Sequence, residues 1–137
     1  MNKEAFLREY IDEIWNKKNF NKIQQYIHPE YTIYLDTNDP WEGKTLSVAE
    51  FKERLNFSFN SFPDMNFEIT SAISEKNHAA ITWILTGTNQ GIIGEYPPTN
   101  KSINTTGVTI YHFKDNLING HTQIFDRITV IKQLGFL

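Results

Sequence analysis

The spacing of apolar residues changes near the middle of the chain. Apart from one short alternating run, it follows the 3.6-residue period of a helix up to about residue 60. Beyond about residue 65 it follows the two-residue period of a strand. At the start, Phe6, Leu7, Tyr10, Ile11, Ile14 and Trp15 form one wide stripe. Lys3, Glu4, Arg8, Glu9, Asp12, Glu13 and Lys17 fill the opposite face, which predicts a helix over 2–18. A shorter helix over about 20–27 turns Phe20, Ile23, Tyr26 and Ile27 inward, and Pro29 ends it. Tyr31-Thr32-Ile33-Tyr34-Leu35 alternates as a strand, and residues 36–43, rich in Asn, Asp, Pro and Gly, read as a loop. Ser47 and Glu50 then form a capping box, with Leu46 and Phe51 as its hydrophobic staple. Val48, Phe51, Leu55 and Phe59 make the stripe of this third helix, and Pro63 stops it.

Period-two segments follow at about 65–74, 79–89, 102–113 and 117–131, with tight turns at 75–77 and 115–116. The connection over 90–101 is long for a hairpin, and long connections in compact domains are often functional. Helices first and antiparallel strands afterwards predict an α+β fold. Three N-terminal helices are covered by a curved, mostly antiparallel sheet that forms a cone with a ligand site at its mouth. At 137 residues the chain is one domain, 1–137.

Composition narrows the function classes. Aromatic residues make up 14% of the chain, enough to build pocket walls as well as a core. A net charge of -3 argues against nucleic acid as a partner. Without cysteine there is neither a disulfide framework nor thiol chemistry. No apolar stretch approaches the roughly 18 residues of a membrane span, and the first residues lack the apolar run of a signal peptide. The expected partner is a small hydrophobic molecule, not nucleic acid or a membrane, and the expected location is the cytoplasm.

Candidate chemistry concentrates at 121–126, where a strand carries an imidazole, an amide and a carboxylate. Such groups need partners or a cavity to line. His121, Gln123 and Phe125 share one face. Asp126 faces the other way unless a bulge intervenes, and Asn119-Gly120 is the place for one. Buried among aromatics, Asp126 would act as acid or base with His121 as a proton shuttle. The alternative for Asp126 is an ion pair with Arg127 or Arg54, and for His121 a hydrogen-bonded place at the rim. Gln123 is suited to orienting a ligand carbonyl. Thr105, Gly107, Thr109 and Tyr111 share one face of the neighbouring strand, where Gly107 leaves room for a ligand or marks a bend. Trp83, Tyr34 and Phe125 are candidate walls, and Trp41 and Tyr96, in loops, candidate lid residues. His28, His78 and His112 are scattered, so no metal site is expected.

Five pieces in order resemble one family: Ile27-His28-Pro29-Glu30-Tyr31, Phe62-Pro63-Asp64-Met65, Thr86-Gly87-Thr88-Asn89-Gln90-Gly91, Pro97-Pro98-Thr99-Asn100-Lys101 and Gln133-Leu134-Gly135. The chain is similar over nearly its whole length to the SnoaL-like polyketide cyclases of the nuclear-transport-factor-2-like superfamily. That resemblance implies an α+β barrel cone, often homodimeric, without metal or organic cofactor. It also implies closure of a polyketide ring by an intramolecular aldol reaction, in which an acidic residue takes the proton next to a carbonyl. Aligned on the closing Gln-Leu-Gly, the cyclases' catalytic Asp falls at Gln123 and its partner His at Thr109, so these two positions are placed together. The family's Gly-Thr-His reads Gly87-Thr88-Asn89, which makes Asn89 a binding candidate, and Asp126 matches an acidic position widespread in the family. A neutral amide cannot serve as a base, nor a hydroxyl as an imidazole. Two expectations stand: a cofactor-independent cyclase, isomerase or lyase acting on a small hydrophobic carbonyl compound, or a non-catalytic binding or dimerisation module. The apolar outer residues Ile84, Val108 and Ile110 favour a homodimer through the sheet.

Overall fold

The first apolar stripe folds as helix α1 (Lys3–Tyr10) and runs on into a π-helical turn at Ile11–Asn16 in the computed structural model, which describes residues 1–137. Asn2 caps its start, its side chain accepting from Ala5 N at 2.9 Å. The wider turn brings Trp15 back towards Tyr10, and the indole Nε1 donates to the Tyr10 hydroxyl at 2.9 Å. A 3₁₀ turn at Phe20–Gln25 follows, shorter than the expected helix. Strand β1 (Ile27–Asp36) begins before Pro29 and runs through Asp36, which the sequence places in a loop. Pro29 is tolerated because it lies where the ladder is interrupted, between Ile27 and Thr32.

A two-residue strand β2 (Thr45–Leu46) precedes helix α2 (Val48–Ser61). Both halves of the expected capping box form: Glu50 N donates to Ser47 Oγ at 3.2 Å, and Ser47 N donates to Glu50 Oε1 at 3.1 Å. The period-two segments become β3 (Asn66–Glu75), β4 (His78–Thr88), β5 (Ser102–Lys114) and β6 (Leu117–Phe125). The six strands lie in one sheet in the order β2-β1-β6-β5-β4-β3, antiparallel except for the parallel β1–β6 pair. The core lies between the inner sheet face and the helices. Leu7, Ile14, Ile23, Ile33, Leu55, Ile81 and Ile118 are almost wholly buried there. No helix is long and apolar enough to cross a membrane.

The closing segment differs from expectation. The last strand ends at Phe125, and Arg127–Leu134 forms helix α3 where the sequence reads a strand to 131. Asp126 caps it, accepting from Thr129 N at 3.0 Å and from the Thr129 hydroxyl at 2.6 Å. Gly135, at φ +83°, closes it in the left-handed conformation. The β-branched run Ile128-Thr129-Val130-Ile131 favours a strand by propensity, and the caps at both ends override it.

Besides a bulge at Thr70 in β3, single-residue bulges in β6 and β1 shape the inner face next to the cavity. In β6, Asn119 is extra between the pairs Ile118–Phe113 and Gly120–His112, close to the expected place. It lies before His121, so it does not alter which way Asp126 faces. In β1, Ile33 pairs with His121 and Leu35 with Thr122, which leaves Tyr34 as an extra residue. The side chain of Asp36 then falls on the inner face, in register with Gln123.

Candidate active site

A cavity of about 370 Å³ opens between the inner sheet face, α1 with its π turn, α2 and α3. Ligand pockets of this kind begin at roughly 300 Å³. Most of its wall is apolar: Trp15, Met65, Phe67, Trp83, Leu85, Ile103 and Phe125, with Val130 and Ile131 from α3. Gly107 pairs between Trp83 and Phe125 in neighbouring strands. A methyl group there would stand 2.5 Å from both side chains, so the missing side chain makes room for the Trp83 indole and the Cβ of Phe125.

The polar end is organised around one carboxylate. Asp36 is 1% exposed, and its Oδ2 accepts from His121 Nε2 at 2.9 Å, Arg54 at 3.0 Å and Gln123 Nε2 at 3.3 Å. Its Oδ1 accepts from Arg127 at 2.9 Å. Arg54, on α2 and also buried, donates through Nε to Asp39 Oδ2 at 3.0 Å. Burial alone would raise the Asp36 pKa. The His121 hydrogen bond and the two guanidinium groups outweigh it and hold the carboxyl below its ordinary value. Burial likewise opposes the charge on Arg54, but Asp39 and Asp36 more than compensate and its pKa rises.

His121 is held on both sides, with Nδ1 2.5 Å from the Tyr31 hydroxyl. A carboxylate only accepts, so these partners assign the hydrogen to Nε2 and leave Nδ1 to accept from Tyr31. Burial lowers the His121 pKa despite the Asp36 hydrogen bond, so the ring is neutral near pH 7. Gln123 is oriented from the opposite side. Trp83 Nε1 donates to Thr109 Oγ1 at 2.9 Å, and Thr109 Oγ1 donates to Gln123 Oε1 at 2.8 Å, which turns the amide NH₂ towards Asp36. Arg127 lies over the Phe125 ring, its guanidinium carbon 4.1 Å from the centroid, at the exposed edge of the site.

The structure brings together His121, Gln123, Thr109, Trp83 and Phe125, all lining the cavity. It does not bring in Asp126, which does not line the cavity and sits at the exposed start of α3. Both Thr129 hydrogen bonds hold its carboxyl below the ordinary value. That is the opposite of what a general base near neutral pH needs, so the acid–base role expected of Asp126 is not supported. The alternative of an Asp126 ion pair with Arg127 or Arg54 is not formed either, because both guanidiniums go to Asp36. Tyr34, as the bulged residue, points to the outer face and packs on His112 with centroids 4.5 Å apart. Asn89 is fully buried but staples the 90–101 connection, donating to Gly91 O at 2.8 Å and accepting from Thr99 N at 2.9 Å. Tyr96 stacks on Phe136 at 4.3 Å, and the same loop sends Ile93 to the cavity instead. Trp41 packs edge-on against Phe57, which is the lining residue.

Asp36, Arg54, Tyr31 and Arg127 escape the sequence reading as members of one site. Asp36 and Arg54 lie in segments that read as a loop and a polar helix flank. The one available signal was Asp36 directly after the alternating run at 31–35, within reach of a strand prolonged by one bulge.

The sequence profile of the SnoaL-like polyketide cyclase family matches residues 5–134, and the chain belongs to that family. It is similar to a protein from Acidithiobacillus ferrooxidans named as a candidate polyketide cyclase. The two share 38% identity at a TM-score of 0.88, covering 95% of this chain and 92% of that one. IdmH from Streptomyces antibioticus, named in the same way, has the same fold at 21% identity and a TM-score of 0.81, covering 98% and 99% of the two chains. A SnoaL-like polyketide cyclase from Agrobacterium tumefaciens has it at 18% identity and a TM-score of 0.78, covering 95% of each chain. Among curated proteins none matches.

Proposed function

We propose that the protein is a cofactor-independent cyclase, isomerase or lyase that forms an enolate on a small, largely apolar carbonyl compound. One observation carries this reading: the acidic oxygens at the polar end of the cavity are already engaged, while N–H donors remain. Asp36 accepts from His121, Arg54 and Arg127, Asp39 accepts from Arg54 and from Trp41 N, and Gln123 Oε1 is taken by Thr109. Only one nitrogen of the Arg127 guanidinium is used by Asp36, and the Gln123 amide nitrogen is held by Asp36 only through long contacts of 3.3 and 3.5 Å. A ligand oxygen that gains negative charge is favoured there, and an ammonium group is not. The apolar wall suits the rest of such a molecule.

A matched pair of probes tests this. The bicyclic ketone 2-tetralone is expected to bind and change the tryptophan fluorescence, whereas the amine of the same skeleton, 2-aminotetralin, is not. Equal binding of the amine would overturn the reading. The second reading, a non-catalytic binder, is favoured by Thr109 and Gln123 standing where relatives place their acid–base pair. It predicts binding of the ketone without proton exchange.

We also propose a homodimer through the outer sheet face, where Ile110 and Ile124 are 39% and 62% exposed beside the bulged Tyr34. Sedimentation at micromolar concentration should give a dimer, and Ile124→Lys a monomer. A monomeric wild type would refute this assembly.

A further inference from the structure

We infer that Tyr31 is the proton carrier of the cavity, working through His121 and Asp36 in place of the acid–base pair missing at Thr109 and Gln123. The inference rests on the carbonyl reading above. Its basis is a line of three side chains: the Tyr31 hydroxyl lies 2.5 Å from His121 Nδ1, and His121 Nε2 lies 2.9 Å from Asp36 Oδ2. Tyr31 and His121 both line the cavity. The order is hydroxyl, imidazole, buried carboxylate, as in proton relays on unrelated folds. Burial keeps the Tyr31 hydroxyl protonated at rest, so it passes a proton on without resting as a phenolate.

The other groups do not offer this. Asp36 is surrounded by donors and has no free side from which to take a proton. Neither imidazole nitrogen faces the ligand, since one meets Asp36 and the other Tyr31. Among the tyrosines that line the cavity, Tyr10 accepts from Trp15 Nε1 at 2.9 Å, and only Tyr31 is hydrogen-bonded to an imidazole. A proton taken from the ligand therefore reaches His121 by way of Tyr31.

The step balances without any co-reactant. His121 Nδ1 takes the phenolic proton as the Tyr31 oxygen takes a proton from the carbon next to the ligand carbonyl. The C–H electron pair moves into the enolate, whose oxygen is met by the Gln123 amide and Arg127. His121 becomes an imidazolium paired with Asp36. The enolate adds one negative charge and the imidazolium one positive. The cluster of Asp36, Asp39, Arg54 and Arg127, two negative against two positive, keeps its balance. Return of the proton to another carbon is an isomerisation, and attack of the enolate on a second carbonyl before proton return is a ring closure.

The test follows exchange of the protons flanking the 2-tetralone carbonyl in deuterium oxide by NMR. Wild type should catalyse saturable exchange. Tyr31→Phe should lower its kcat by about a hundred-fold or more while KM stays within about threefold, the mark of a group that acts in the chemical step. Exchange by Tyr31→Phe at the wild-type rate would overturn the relay and leave the enolate reading standing. Binding of the ketone by wild type with no catalysed exchange would overturn both. A second measurement needs no ligand. Nitrogen-15 NMR of the folded protein near pH 7 should show His121 neutral with its hydrogen on Nε2, and the Nδ1 shift should move in Tyr31→Phe. A ring protonated on Nδ1 would refute the relay whether or not the ketone binds.

Discussion

Replacement of Asp36 by asparagine is expected to lower the unfolding free energy by about 3 kcal/mol or more, the usual cost of removing one member of a buried ion pair. The volume is conserved, so no cavity forms. What changes is charge. Arg54 and Arg127 would keep two positive charges against Asp39 alone, and Arg54 has almost no access to water. The asparagine NH₂ would also face groups that can only donate. Domains of this size hold about 5–15 kcal/mol in total, so the loss is a sizeable share. A urea midpoint shifted by the equivalent of less than about 1 kcal/mol would mean that the guanidiniums find other partners. The sign with pH follows from the depressed carboxyl. A folded pKa below the unfolded value stabilises above about pH 4 and is lost as pH falls through the folded value. His121, also depressed, contributes fully above about pH 6.5 and progressively less below it. Wild type should therefore weaken from near pH 6.5 and more steeply below pH 4, and Asp36→Asn should weaken less steeply there, since the lowered Asp64 and Asp126 carboxyls remain.

Gly120→Ala is expected to cost about 1–3 kcal/mol, the range for forcing a methyl group into filled space. A Cβ at Gly120 would stand 2.5 Å from the Thr32 carbonyl oxygen and 2.8 Å from Cε2 of Tyr34. The first contact is backbone and cannot rotate away, so β1 must separate from β6 beside its bulge. Relief by moving Tyr34 would break the stack on His112. Because Asp36 follows that bulge by two residues, the variant should also shift the His121 Nε2–H resonance. Gly87→Ala is the control, since its methyl group would meet neighbours at an ordinary 3.5 Å, and it should stay within about 0.5 kcal/mol. Equal stability of the two variants would show that the strands part without cost.

Most of the fold was legible because alternation and capping are local. His121, Gln123 and Phe125 on one face of β6, and Thr105, Gly107, Thr109 and Tyr111 on one face of β5, could be read from parity alone, and the structure bears out both sets. The centre of the site was not legible for the same reason. Parity holds only while the ladder is unbroken, and the extra Tyr34 reverses it two residues before Asp36. Arg54 was read only as an alternative ion-pair partner of Asp126, because a charged residue on a helix flank normally faces solvent, and only the position of Asp39 and Asp36 opposite it accounts for its burial. Helix α3 was read as a continuation of the last strand, although the chain carries its own helix signals there. Asp126 with Thr129 three residues on, and Gly135 eight residues after Arg127, are start and stop signals that outweigh a β-branched run.

The bulge at Tyr34 has a consequence for how this chain can change in length. Removing Tyr34 alone would join the pairs Ile33–His121, Leu35–Thr122 and Asp36–Gln123 into one uninterrupted ladder, with Asp36 still facing inward. A one-codon deletion is thus a conservative event at this point, whereas a one-codon deletion at Leu46 or Leu55 would rotate a buried row out of place. Insertion and loss of the outward aromatic ring is a route by which relatives can alter their outer surface while the carboxylate within stays put.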